Sequence, residues 1–391
     1  MKTNYAFRSF SVFLLLVSGL TPAGADVSTV KMPEPASRTQ VRVGAEGIIH
    51  VVYADMKNRG DLLYIRQQAG QEGFSKPVKV NSTPHCAGGF NMALGKQGRV
   101  HVLIRPNARY SRDVLKRTPK FNDLKFMLYC RLNDEGTRFE KERDLSGVTF
   151  GFETAGAVIA DGKGTVYVFW HGLTKPGPEN TRQIFQAKSE DEGKTFTKAK
   201  PVHNNVIGAC ACCTIAGTID ADGRLYLGYR NSLEGGTKDS YLLISNDQGK
   251  TFTGKMLDPW PDAGCPDSIY SLTSGTSGVF VAWNTLGRAY FAKAGEESNK
   301  IAAQTTSKLS RRPVLASNSK GEMLFEWSEG SPRQLSRETA DLAWQLYDKN
   351  GKPVSERKVL PAGVAKWSFP GVYAKPNGDF VIFYDGPGPT Q

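Results

Sequence analysis

Three thiols within four residues, Cys210, Cys212 and Cys213 in Gly208-Ala209-Cys210-Ala211-Cys212-Cys213, form the most reactive stretch of this chain. Two more cysteines stand in His85-Cys86-Ala87-Gly88-Gly89 and Gly264-Cys265-Pro266-Asp267. In an oxidising compartment such thiols pair, for instance from the triplet to Cys265, and a Cys212 to Cys213 bond is a further option. Alternatively, as thiolates with His85 or His203, they suit a soft metal, copper(I) or zinc(II), although the spacing is not a standard zinc pattern. Both readings stay open. Cys130 stands apart and reads as a lone packed thiol.

Guanidinium groups supply the second kind of chemistry, because their planar fork matches a carboxylate or sulfate bidentately. Arg105 opens a run with Arg109, Arg112, Lys116, Arg117 and Lys120 against Asp113 and Asp123, and Arg230-Asn231 precedes Lys238-Asp239. Trp260, with Trp170, Trp283 and Trp327 at comparable positions, offers an aromatic surface for a sugar ring. The 391 residues carry 50 Lys+Arg against 38 Asp+Glu, a net charge of +12 that suits an anionic ligand such as an acidic glycan. No nucleic-acid motif and no phosphate-cradling Gly loop appears.

The first 25 residues read as a secretory leader: Lys2 and Arg8, the apolar run Phe10 to Leu20, then Ala23-Gly24-Ala25 as a small-residue cleavage site. The expected product is an exported, periplasmic or extracellular protein of residues 26–391. No later stretch reaches transmembrane length.

A recurring unit must position these groups. A short apolar strand, a turn ending in Gly and an alternating strand repeat with glycines at 47, 98, 164, 223, 278, 321 and 378, a period of about 55 residues. Between hairpins lies room for two further strands. The expectation is an all-β propeller of four-stranded blades, seven by this count and six as the alternative, closed by a strand near Val27 to Met32. A second turn repeats as Ser189-x-Asp191-x-Gly193-x-Thr195-Phe196 and Ser245-x-Asp247-x-Gly249-x-Thr251-Phe252, with a weaker copy at Asp134, Gly136 and Phe139. Asp and Ser bond turn amides, Gly takes a backbone shape other residues avoid, and the aromatic packs back.

At these boxes the chain resembles the Asp-box (BNR-repeat) proteins of the sialidase-like superfamily. The resemblance implies that boxes lie on the face away from the ligand. The opposite face then gathers the interblade loops 81–90, 144–155, 203–214, 258–269, 306–312 and 361–371, which hold five of the six cysteines, and the middle loops that follow the second strands. A sialidase of this kind uses three arginines, a Tyr with a Glu, and an Asp. Weak counterparts here are Arg105, Arg230, Tyr373, Glu326, Asp239 and Asp267. The family's Arg-Ile-Pro opening motif is replaced by Val41-Arg42-Val43, where Arg42 is expected to face along the strand, and Ile104-Arg105-Pro106 falls one blade later. Exported bacterial sialidase-like proteins are a closer resemblance, on Cys210 to Cys213, Arg230-Asn231, Asp239 and Trp260…Cys265-Pro266. The expectation is a monomeric propeller binding an acidic glycan or a soft metal at its Cys-rich face through Arg105, Arg230, Asn231 and Trp260. The alternative is a glycoside hydrolase of the exo-α-sialidase type with a rearranged site.

Overall fold

The computed structural model describes residues 24–32, 36–55, 61–71, 73–82, 88–106, 126–154, 156–203, 208–261, 268–337, 339–364 and 371–387, the side chains of 36–38 and 336–337 excepted. Its regular secondary structure is almost wholly strand, arranged in seven sheets. Six have four strands in chain order, starting from β2 (Ala36–Val43), β6 (Gly89–Leu94), β10 (Ala157–Ala160), β14 (Ala216–Ile219), β18 (Ser271–Gly275) and β22 (Leu309–Ser317). The seventh holds β26 (Gly371–Ala374), β27 (Phe380–Tyr384) and, at its outer edge, β1 (Val27–Lys31). This is the seven-bladed propeller that the hairpin count implies, and the N-terminal strand closes it as expected. No helix among the described residues is long and apolar enough to cross a membrane.

The core is a ring of apolar layers, one between each pair of neighbouring blades. Strand period sorts side chains between layers. In β11 (Val166–Gly172), Val166, Val168 and Trp170 face the second blade, while Tyr167 and Phe169 face the fourth. A strand covered on both sides reads as a continuous apolar run, and all seven residues of β11 are buried. Each fully buried Phe or Leu contributes roughly 1.5–3 kcal/mol. The last layer joins Val41, Val51, Tyr53 and Ile65 to Tyr373, Val381 and Phe383, which seals the seventh blade against the first.

β1 runs parallel to β27, with Val27 beside Phe380 and Lys31 beside Tyr384. The connection explains the direction. Inner strands start, and second strands end, on one face of the propeller. A parallel β1 also ends there, so a short link suffices to begin β2, whereas an antiparallel one would have to recross the blade.

The Asp boxes fold as their residues dictate. Ser189 Oγ accepts the Gly193 amide at 2.8 Å and donates to Asp191 Oδ1 at 2.7 Å, which in turn accepts the Thr195 amide at 2.8 Å. Ser245, Asp247, Gly249 and Thr251 repeat this set. In the weaker copy the expected Asp134 does not fill the box position: Asn133 Oδ1 takes the Thr137 and Arg138 amides, and the Asp134 carboxylate pairs with Arg99 and Arg131 instead. Each box aromatic packs across the gap onto the preceding blade: Phe139 on Tyr64, Phe196 on Tyr129, Phe252 on Phe169, all edge to face.

Candidate functional site

The inner edges of all seven blades line one cavity of about 760 Å³ on the axis. Its wall is built from strand backbones with small or polar side chains such as Thr39, Asn91, Thr214, Thr218, Ser271 and Ser317. Three cations stand among these: Arg42, Arg105 and Arg312. Glu153 is the one carboxylate on the wall among the described residues.

Arg42 projects from β2 into this channel. Its side chain is water-accessible, yet protein encircles it, and that enclosure lowers its pKa to about 10. It donates to its neighbour's carbonyl, Val41 O, at 2.7 Å, and no carboxylate of the described residues pairs with it. Arg105, at the end of β7 (Val100–Arg105), donates to Gly88 O at 3.0 Å and Pro106 O at 3.3 Å. Arg312 sits at φ 54°, where the register of β22 shifts between Arg311 and Val314. A bulge of this kind re-aims a side chain, here at the cost of a left-handed backbone for a non-glycine residue. Burial raises the Glu153 carboxyl above its ordinary range, against the pull of Arg182.

Beside the channel the Cys-x-Cys-Cys loop is clamped from three sides. Cys210 N–H bonds Arg230 O at 2.9 Å, and Thr154 Oγ1 donates to Cys213 O at 3.2 Å. Glu179 accepts the Ala211 amide at 2.7 Å and Lys238 Nζ at 2.8 Å. Burial works against the Glu179 charge, but those two donors outweigh it and hold its pKa below the usual value. His171 is fully enclosed, and burial lowers it to about 3, so it stays neutral with Nε2 near Thr154 Oγ1 (2.9 Å) and Cys213 O (3.3 Å).

Cys210 and Cys213 are free, buried thiols. Cys212 is disulfide-bonded, and it alone of the three reaches the channel wall. The vicinal Cys212 to Cys213 pair is therefore not formed. All three sulfurs lie within 4.8 Å of one another, a compact enough set for a metal. With the Cys212 sulfur bonded elsewhere, the loop offers two thiols and falls short of three thiolates. His203 is half-buried, and its imidazole pKa is lowered by burial. Cys130 is reduced and packed in the layer between the first two blades.

The remaining expected site residues separate. Arg230 is only 1% exposed and spends its outer nitrogens on Lys238 O at 2.6 Å and Asn284 O at 2.9 Å, with Trp260 over its guanidinium. Asn231 Oδ1 accepts the Asp239 amide, and Asp239 Oδ1 the Trp260 amide. These four residues brace the loops beside the Cys triplet and leave the channel to others. Tyr373 lines the channel wall, but its ring stacks on Phe383 and burial pushes it up to about 12. Both Glu326 oxygens are buried without a hydrogen bond, so Glu326 does not activate Tyr373. Trp170, Trp283 and Trp327 are wholly buried and cannot stack on a sugar. His85, Cys86, Cys265, Asp267 and the cations from Arg109 to Lys120 lie outside the described residues. Arg312, Glu153 and Glu179 stand in loops that the sequence assigns to this face, but nothing in their types sets them apart there.

No family profile and no curated protein matches the chain. Solved structures do. A protein of unknown function from Dyadobacter fermentans aligns with a TM-score of 0.56 at 16% identity, covering 79% of this chain and 94% of its own. An α-L-arabinanase from Penicillium chrysogenum, complexed with arabinobiose, gives 0.52 at 10% over 83% and 98%. An α-L-arabinofuranosidase from Fusarium graminearum, in complex with an iminosugar inhibitor, gives 0.52 at 12% over 83% and 97%. At such identities the likeness is one of backbone architecture, and the chain is similar to these proteins as a β-propeller.

Proposed function

We propose that this protein is an exported propeller that binds an acidic carbohydrate in its axial channel. One observation carries the reading: Arg42 is accessible inside the channel, ringed by protein, and has no acidic partner among the described residues. A cation in that position is satisfied best by an anion that enters. Arg105 and Arg312 add to the field, and hydroxyl and amide side chains on the wall suit sugar hydroxyls. Two propellers of similar backbone are described by their names as acting on arabinose-containing carbohydrate, which supports a sugar as ligand.

Binding is favoured over hydrolysis because glycoside cleavage needs two carboxyl groups, or a Tyr with its Glu, flanking one bond. The described wall has Glu153 alone, and Tyr373 lacks Glu326. Glu153, held protonated more readily by burial, is the group that a hydrolase reading would rest on. Calorimetry with oligosaccharides of uronic and sialic acid is the test. The expected result is stoichiometric binding without sugar release, weakened about tenfold or more by Arg42→Ala, which corresponds to ~1.4 kcal/mol or more. Equal affinity in wild type and Arg42→Ala, or binding of neutral sugars alone, overturns the reading. Sugar release that is lost in Glu153→Gln establishes the hydrolase instead.

A further inference from the structure

We propose that Cys210 and Cys212 form a thiol–disulfide exchange centre at the edge of the channel, with Cys210 as the resolving thiol, behind the wall, for the disulfide carried by Cys212. The geometry is already close to that of reaction. Cys210 Sγ lies 3.4 Å from Cys212 Sγ, within the distance at which reacting atoms are held in near-attack arrangements. Cys212 is disulfide-bonded, whereas Cys210 is a free thiol two residues away. Because Cys212 lines the cavity, a low-molecular-weight thiol entering the channel meets its sulfur first.

The surroundings favour a thiolate on Cys210. The Cys213 hydrogen bond lowers its pKa, and the Lys238 ammonium, fixed 2.8 Å from Glu179, assists against the cost of burial. The same contact with Cys210, together with burial, keeps Cys213 a thiol, well above its ordinary range. One sulfur of the pair is thus the nucleophile and the other its donor. Glu179 and Thr154 hold the loop backbone on either side, so Cys210 and Cys212 stay in register.

The chemistry balances without an oxidant. An entering thiolate attacks Cys212 Sγ, the bond from Cys212 to its partner breaks, and the partner sulfur leaves as a thiolate that takes up a proton. Cys210 thiolate then attacks Cys212 Sγ in the mixed disulfide, forming the Cys210 to Cys212 bond and regenerating the small thiol with the proton that Cys210 gave up. One disulfide is consumed and one is made. The small thiol is returned unchanged.

The test exposes the purified full chain to reduced glutathione, quenches with acid, alkylates, and maps the linkages by mass spectrometry. Wild type is expected to show a Cys210 to Cys212 linkage and little glutathione on Cys212. Cys210→Ser is expected to accumulate glutathionylated Cys212 at least tenfold over wild type, while Cys130→Ser, which loses a thiol from a distant layer, behaves as wild type. Absence of the Cys210 to Cys212 linkage in wild type at every glutathione concentration overturns the proposal, and this reading needs no variant to fold. Equal mixed disulfide in wild type and a folded Cys210→Ser also overturns it. The glycan-binding test reads affinity at Arg42, so either proposal can fail alone.

Discussion

Single side chains here do work that their types alone do not reveal. Arg230 was legible as a cation at the end of a second strand, and a guanidinium there could have reached a ligand. Its burial reverses the expectation, because two backbone carbonyls absorb its donors. Arg230→Ala should therefore lower stability by about 3 kcal/mol or more, read as an earlier denaturant midpoint, since charged hydrogen bonds contribute ~1.5–3 kcal/mol each. Glu326 behaves oppositely. It lies on β23 (Met323–Gly330) between Leu324 and Ser328, and burial without a partner pushes its carboxyl well up. A carboxyl whose folded pKa exceeds its unfolded value binds more protons folded, so stability declines as pH rises above about 4.5. The denaturant midpoint of wild type should fall through that rise, and Glu326→Gln should flatten the slope. Nothing in the sequence marked this residue as buried, because a strand position with a carboxyl reads as outward unless the neighbouring sheet is known.

At the scale of the element, the Asp boxes were the clearest text in the chain, and their internal bonds match what Ser, Asp, Gly and Thr at that spacing can make. Their partner was not legible, since the contacts of box aromatics with the preceding blade join residues about 65 to 85 apart with no local pattern. Gly193 shows why the box is strict. It adopts φ +76°, and a Cβ on it would stand 1.8 Å from the Tyr129 hydroxyl of the preceding blade. Gly193→Ala should cost more than about 2 kcal/mol in chemical denaturation, from backbone strain and the clash together. Gly223→Ala shares the positive φ but has nothing within 4 Å, so only the backbone term of about 1–2 kcal/mol should remain. The boxes also predict an acid limit. The Asp191 carboxylate, against slight desolvation, is held by Thr195 and Ser189 at about 2, and Asp247 is lowered by Thr251 and its amide. Their stabilisation is present above the unfolded value near 3.8 and is lost as pH falls through the folded values. Unfolding followed by fluorescence should steepen below pH 4, and Asp191→Asn with Asp247→Asn should soften it.

For the whole molecule, the hairpin count sufficed for architecture because every blade repeats one apolar rhythm, and the same rhythm implied a closing strand. The channel was less visible. Residues that line it come from seven places in the chain, and a cavity is a property of closure, which no window of sequence contains. Closure also makes the ring vulnerable at a single seam. Removing residues 26–31 should bare the β27 edge, and light scattering should then report association where the intact chain remains dispersed. The parallel course of β1 has one more effect. Because it runs alongside β27 in the same direction, the two ends of the propeller emerge on opposite faces: Asp26 beside Asp379 on the Asp-box face, and Pro387 over Lys31 at the channel face. A linker grafted ahead of Asp26 would hold the propeller with its opening turned outward, free to sample the medium, whereas one grafted after Pro387 would turn the opening toward the anchoring surface.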